Sequence, residues 1–289
     1  MDSVNRKLLD TASSVRVLVV GDTMLDRYWL GAVDRISPEA PVPIINVNIV
    51  EECAGGAGNV AANIASLGAR CDLLSFIGDD DAGKRLDAIL AEAHVDRHLH
   101  IDAHGRTTEK LRIVSRNQQL LRADFEKAPS NDLIRQGVED FRSLNNEADV
   151  VVISDYGKGS FDHVEEMLAI SLLTKKPIII DPKGTDFSRY NGATVVTPNR
   201  SEFEAVTGVS TSGDAFHTAA FNLIEATGLE ALLVTQGDEG MTLFRGSGEM
   251  IHQAASALEV FDVSGAGDTV VAVIALGLGL GLSWRENVQ

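Results

Sequence analysis

The chain has 289 residues, enough for one large α/β domain or two smaller ones, and 44% hydrophobic residues supply a core. Asp and Glu number 42 against 25 Lys and Arg, a formal charge of -17, which repels phosphate backbones and anionic bilayers and sets nucleic acid and membrane aside as partners. Cys53 and Cys71 are too few for a disulfide scaffold, and Met1 to Ser14 lacks the apolar core of a signal peptide, so the cytoplasm is the expected location.

Val15 to Val20 is a continuous apolar run closed by Gly21 and Asp22, the pattern of a buried parallel strand with a site at its carboxyl end, and Asp26 follows. Tyr28 to Asn48 carries Pro38, Pro41 and Pro43 between short alternating pieces and reads as exposed strands of a flap. Gly55 to Leu67 reads as a glycine-opened helix, Asp72 to Ile77 as a strand and Lys84 to Ala93 as a helix. His94, His98, His100 and His104 crowd one stretch with Asp96 and Asp102, but their spacings mix helix and strand periods, so a solvated surface segment is expected rather than a metal site. Thr107 to Val114 and Gln119 to Ala123 alternate like antiparallel strands and would complete the flap.

From Asn131 the pattern turns regular: helices at 132–144, 161–173, 201–207 and 215–226 alternate with strands at 150–153, 178–180, 194–196 and 231–234, before an antiparallel tail from Met241 to Leu258. Such alternation predicts a mainly parallel sheet covered by helices on both faces, with ligands at the carboxyl ends of the strands. No linker or repeat interrupts the chain, so one domain plus a flap is expected over residues 1–289. Ser283-Trp284-Arg285-Glu286 fits a capping box with only three residues after it, and the chain is expected to continue beyond Gln289.

The stretch with the most chemistry is Asp262 to Thr269, DVSGAGDT, between a β-rich run and the apolar segment Val270 to Leu282. Gly265, Ala266 and Gly267 open a helix whose first N–H groups lack intrahelical partners, an anion hole, and Asp268 sets a carboxylate beside it. Donors that hold a phosphoryl group next to an acid that takes a proton suit a kinase acting on an alcohol. Gly78 to Arg85 nearly matches a P-loop, but Arg85 replaces the Ser or Thr and three aspartates sit where phosphates would go; an acidic helix start is the better reading. Gly56 to Ala61 matches a relaxed dinucleotide fingerprint, weakly, and lies beyond the first βα turn. Lys183, after the strand ending at Asp181, could meet phosphate or lie on a turn. Asn199 and Glu202 could hold magnesium through water or form a capping pair. Thr235 to Gly240 offers a second glycine-rich loop for a nucleotide.

Taken in order, Gly55 to Asn59, Asn199 to Glu202, Thr235 to Gly240 and DVSGAGDT resemble the ribokinase-like (PfkB) carbohydrate kinase family over essentially the whole chain. GDTMLDRYWLGAVDRISPEAPVPI, GGAGNVAANIASLGA and SDYGKG are similar to its bacterial D-glycero-β-D-manno-heptose 7-phosphate kinases, which feed ADP-heptose and lipopolysaccharide synthesis. The resemblance implies a three-layer α/β/α fold with a small β-sheet lid at about 28–48 and 107–123, through which a homodimer forms. It implies Asp268 as base, Gly265, Ala266 and Gly267 as anion hole, and Asp22, Asp26, Gly55, Gly56 and Asn59 around the sugar. Asn199 and Glu202 would serve nucleotide and Mg2+; Lys183, Thr235, Gly237 and Gly240 would serve ATP, and a monovalent cation stays open. Lys110, Arg122 and Lys158 are the cations expected at the substrate phosphate. Ser264 departs mildly from the family's usual Thr, and the helices that close over adenine do not follow. The alternatives are a family kinase for another sugar or a nucleoside, and a sensor of the same fold without turnover. A nicotinamide-dependent dehydrogenase is the third.

Overall fold

The computed structural model describes residues 8–116, 118–159, 163–255 and 265–288. In chain order its elements are β1 (Arg16–Gly21), β2 (Thr23–Ile36), β3 (Pro43–Gly56), α1 (Ala57–Ser66), β4 (Arg70–Gly78), α2 (Asp81–Glu92), β5 (Asp96–Asp102), β6 (Glu109–Ser115), β7 (Gln118–Phe125) and α3 (Asn131–Glu147). There follow β8 (Val150–Ser154), α4 (Val164–Thr174), β9 (Ile178–Asp181), β10 (Val195–Val196), α5 (Arg200–Thr207), α6 (Gly213–Thr227), β11 (Ala231–Thr235), β12 (Met241–Arg245), β13 (Met250–Gln253), α7 (Ala266–Gly279) and α8 (Trp284–Val288).

The main sheet has the order β13-β12-β11-β10-β9-β8-β1-β4-β5 and is parallel except for β12 and β13. Its strands are apolar on both faces because each face has its own core. Val17 and Val19 of β1 and Val150 and Val152 of β8 join α1, α2, α7 and α8 through Ile64, Leu86, Val271 and Trp284. Leu18, Val20, Val151 and Ile153 join α3 to α6 through Phe141, Met167, Phe203 and Phe216. The period-2 alternation of a strand thus sorts each residue into one of two layers, giving the three-layer α/β/α fold with a mainly parallel sheet. Strand order reverses between β1 and β8, which places the ligand crevice beyond their carboxyl ends.

The lid is a second sheet of order β3-β2-β6-β7, with β2 parallel to β6 and the other pairs antiparallel. Its strands outrun the expected bounds: β2 and β3 pair from Thr23 and Gly56 outward, so Gly55 and Gly56 end a strand rather than open the helix, which starts at Ala57. Pro38 and Pro41 fall in the connecting turn and Pro43 at a strand end, where no ladder N–H is needed.

The expected surface segment at residues 94–104 is largely exposed or half-buried, and it is also a strand. Asp96–Asp102 forms the edge strand β5, parallel to β4. Its histidines are engaged structurally: His98 Nε2 lies 3.0 Å from the buried Asp72, which also accepts from Nε and Nη2 of Arg16, and His100 stacks on Phe76. A polar strand is tolerated at an edge, which is why hydropathy does not reveal it. The expected β-rich run at 258–261, with Asp262 to Ser264 and Phe161, lies outside the described residues.

Candidate active site

Helix α7 begins at Gly265, whose φ of 79° places it in the left-handed region that glycine adopts without strain. The turn delivers Asp268, 5% exposed, into contact with two donors: Asn59 Nδ2 at 2.6 Å from Oδ2 and the Tyr156 hydroxyl at 3.0 Å from Oδ1. Burial pushes the Asp268 carboxyl above the ordinary aspartate range; both hydrogen bonds and Lys110 work against that, and Asp26 adds to it. A buried carboxylate with raised basicity, held by neutral donors rather than an ion pair and set at a helix N-terminus, fits a general base. Ala266 and Gly267 are exposed and are the first two residues of α7, whose N–H groups have no partner within the helix, a place suited to a phosphoryl group.

The loop after β8 closes the other side. Asp22 Oδ2 accepts from the Tyr156 and Lys158 N–H groups, each at 3.0 Å, so Asp22 anchors this loop as well as bordering the cleft. Asp155 Oδ1 takes the Gly157 N–H and Oδ2 the Tyr190 hydroxyl. Gly56 (φ 59°) and Gly55 are required by crowding: a Cβ on Gly56 would stand 2.4 Å from the Asp22 carbonyl, and one on Gly55 2.2 Å from Asp26 Oδ2.

Facing these, the lid presents its cations. Lys110 Nζ stands 5.5 Å from the Tyr156 ring centre, and Arg112 donates to Asp26 at 2.6 Å while lying over Tyr28. Burial pulls the Lys110 ammonium below the usual lysine range; Asp26 opposes this, and Lys158, Arg112 and Arg122 add to it. The four cations thus sit close enough to act on one another's charge, and three of them are paired with a carboxylate, Arg112 with Asp26 among them. Arg122 forks onto Asp124 and Lys158 pairs with Glu126, so both are tethered at the rim. A small cavity beside Asp22 is lined by Lys158, Arg106, Lys127 and Thr108.

On the nucleotide side, Asn199 and Glu202 form the capping box of α5, with Asn199 Oδ1 taking the Glu202 N–H and Glu202 Oε2 the Asn199 N–H, both at 3.0 Å. That geometry leaves Glu202 Oε1 to Lys183 Nζ at 2.9 Å. Asn199 bridges Thr235 at the end of β11, and Gly237 and Gly240 both carry positive φ; a Cβ on Gly240 would fall 2.1 Å from the Gln253 carbonyl. The two loops are therefore neighbours at the carboxyl edge of the sheet. Asp181, missed in the sequence, lies between the halves: burial, then Asp268 and Glu202, push its carboxyl well above the usual range. Asn199, expected to serve Mg2+ with Glu202, is taken up by the cap; Asp181 and Glu202, whose charges act on each other, are the carboxylates that would hold magnesium. Among the described residues no group of three or more His, Cys, Asp or Glu converges on one metal point.

The near P-loop at Gly78 to Arg85 is the acidic helix start expected: Asp80 caps α2 through the Gly83 N–H and binds the Thr107 N–H and hydroxyl. Tyr156 and Arg112 were not singled out from sequence, because only the fold brings them to Asp268 and Asp26.

Comparison with known proteins agrees with this geometry. The profile of the pfkB family carbohydrate kinases matches residues 15–289. The chain is 49% identical over 281 residues to "Bifunctional protein HldE" of Methylococcus capsulatus, covering 97% of this chain and 59% of that protein, so it spans about three-fifths of that curated relative. Among solved structures, the tetrameric inhibited form of phosphofructokinase-2 from Escherichia coli superposes with a TM-score of 0.80 at 22% identity over 95% of this chain and 90% of that one. Arabidopsis thaliana ribokinase complexed with ribose and ATP gives 0.74 at 20% identity, over 95% and 89%. These two show the fold. With the family profile over nearly its full length and a half-identical relative, the chain belongs to the pfkB family of carbohydrate kinases.

Proposed function

We propose that this chain transfers the γ-phosphoryl group of ATP to the anomeric hydroxyl of D-glycero-β-D-manno-heptose 7-phosphate, giving the 1,7-bisphosphate and ADP. The observation that carries the reading is Asp268: a buried, doubly hydrogen-bonded carboxylate at a glycine-led helix start, opposite a lid of cations. Asp268 takes the hydroxyl proton as the sugar oxygen attacks the γ-phosphorus and the bond to the β–γ bridging oxygen breaks, releasing ADP. The N–H groups of Ala266 and Gly267 steady the migrating group, and catalysis is positioning plus charge stabilisation. Asn59, Asp26 and the Asp22 region hold the sugar, while Lys110, Arg112, Arg122 and Lys158 answer the 7-phosphate. Lys183, Thr235, Gly237 and Gly240 border the nucleotide. Magnesium, held through Asp181 and Glu202 beside the Asn199 cap, would neutralise the phosphates of ATP.

The heptose assignment is supported by the similarity to proteins named HldE and by the resemblance of residues 21–44, 55–69 and 154–159 to heptose 7-phosphate kinases. A homodimer through the lid is supported by the exposed apolar residues Ile49, Val50 and Leu121. The single-domain organisation and a cytoplasmic location belong to the same proposal; among the described residues no helix is long and apolar enough to cross a membrane.

Phosphorus NMR of the product from heptose 7-phosphate and ATP tests it. A new sugar 1-phosphate resonance beside the retained 7-phosphate is expected. Phosphorylation at another oxygen, or turnover of ribose or adenosine as fast as of the sugar phosphate, refutes the substrate.

A further inference from the structure

We infer that Tyr156 is a positioning residue for the base: its hydroxyl fixes the Asp268 carboxylate so that one oxygen stays turned to the substrate and ready to accept its proton. Only what the base then does depends on the kinase reading.

The two donors to Asp268 come from opposite walls. Asn59, from α1, takes Oδ2 at 2.6 Å, and Tyr156, from the loop after β8, takes Oδ1 at 3.0 Å. A carboxylate offers about four acceptor directions, so two donors fix its plane and leave room for a sugar hydroxyl. Asn59 alone would leave the group free to turn about that one contact. The phenol cannot drift, because its own backbone is pinned. Its N–H is bonded to Asp22, the next N–H to Asp155, and the Asp155 N–H to the Asp181 carbonyl at 3.0 Å. The ring is confined as well: a Cβ on Gly56 would lie 3.4 Å from Tyr156 Cδ2, and Lys110 stands over the ring.

The chemistry agrees. Burial, then the charges of Asp181 and Asp268, push the phenol far above the ordinary tyrosine range, so it stays protonated and donates at any working pH. A donor to the ionised form favours that form, and Tyr156 offsets part of the burial that makes Asp268 hard to ionise. The hydroxyl thus keeps the base charged between turnovers while the ring packs beneath the lid.

The test is the titration of Asp268 followed by carbon-13 NMR of its labelled carboxyl, assigned with Asp268→Asn, in the wild type and in Tyr156→Phe. Phenylalanine keeps the ring and removes the donor. The carboxyl is expected to titrate about one pH unit higher in Tyr156→Phe, and the acid limb of kcat/KM to move up with it. Site-specific 3-fluorotyrosine, a stronger donor on the same ring, should move it down, and carries the test alone if the phenylalanine variant does not fold. Tyr190→Phe, which loosens the loop through Asp155, should lower kcat without moving the limb. An Asp268 titration unchanged in both the phenylalanine and fluorotyrosine proteins overturns the inference whatever happens to kcat. Absence of sugar phosphorylation by the wild type overturns the kinase reading and leaves the titration result standing.

Discussion

Gly55→Ala is a sharp probe of the site because the missing methyl has nowhere to go. Its Cβ would lie 2.2 Å from Asp26 Oδ2 and 2.9 Å from Met24 Cγ, and Met24 is 1% exposed. The backbone at Gly55 is ordinary strand paired with Met24, so sterics alone set the cost. The carboxylate is the part that can yield, but Arg112 holds its other oxygen at 2.6 Å with both side chains largely covered. Overpacking of this kind costs about 2 kcal/mol, which for a chain of this size lowers Tm by about 5 °C. Turning Asp26 away also removes a charged acceptor from the sugar, worth about tenfold or more in KM. Thermal melting and steady-state kinetics on Gly55→Ala, Asp26→Ala and the double variant measure both effects. In the Asp26→Ala background the added methyl should cost clearly less, since its nearest clash is gone. Full additivity of the two changes, or a Gly55→Ala protein with native Tm and KM, would show that the methyl does not press on Asp26.

Asp268→Asn should reduce kcat by about a hundred- to ten-thousand-fold, the usual contribution of a general base. Because burial raises the folded-state pKa of Asp268, the ionised group costs stability above that pKa and nothing below the unfolded value; the variant should therefore melt no lower than wild type at neutral pH. Wild-type activity should fall as pH drops through the raised pKa, at a pH above the ordinary aspartate range. Glu202→Gln keeps an acceptor for the α5 cap but loses the charge, so urea melts should be near native while the Mg2+ concentration for half-maximal rate rises several-fold; an unchanged requirement would make Glu202 a cap alone. Asp80→Ala removes the α2 cap and both bonds to Thr107 and should cost about 1–2 kcal/mol in urea unfolding. Hydrogen bonds from Thr107 and the backbone hold the Asp80 carboxyl below the ordinary range against its burial, so its contribution is present above the unfolded pKa and is lost as pH falls through the lower folded one.

The layers were legible because buried parallel strands write continuous apolar runs, and β1, β8, β9 and β11 do so. Asp268 was legible because a glycine-led helix start with an acid is local. Strand β5 was not, since an edge strand carrying Asp96, Arg97, His98 and His100 has no core-like signature. Nor could Asn199 and Glu202 be separated into cap or metal pair; the spacing serves both, and the structure shows the cap formed with one Glu202 oxygen left for Lys183. Tyr156 and Arg112 act on carboxylates 112 and 86 residues away, a relation no local pattern encodes.

The lid's two long strands have a mechanical consequence. Each has 14 residues, about 46 Å of extended chain, and they leave the main body at Thr23 and Gly56, beside the groups that ring Asp268. Were the ribbon to tilt as a unit about that end, about five degrees would sweep the far end through about 4 Å. A reporter dye attached near Ser37 would then magnify sub-ångström adjustments at the near end into a readable signal of ligand arrival.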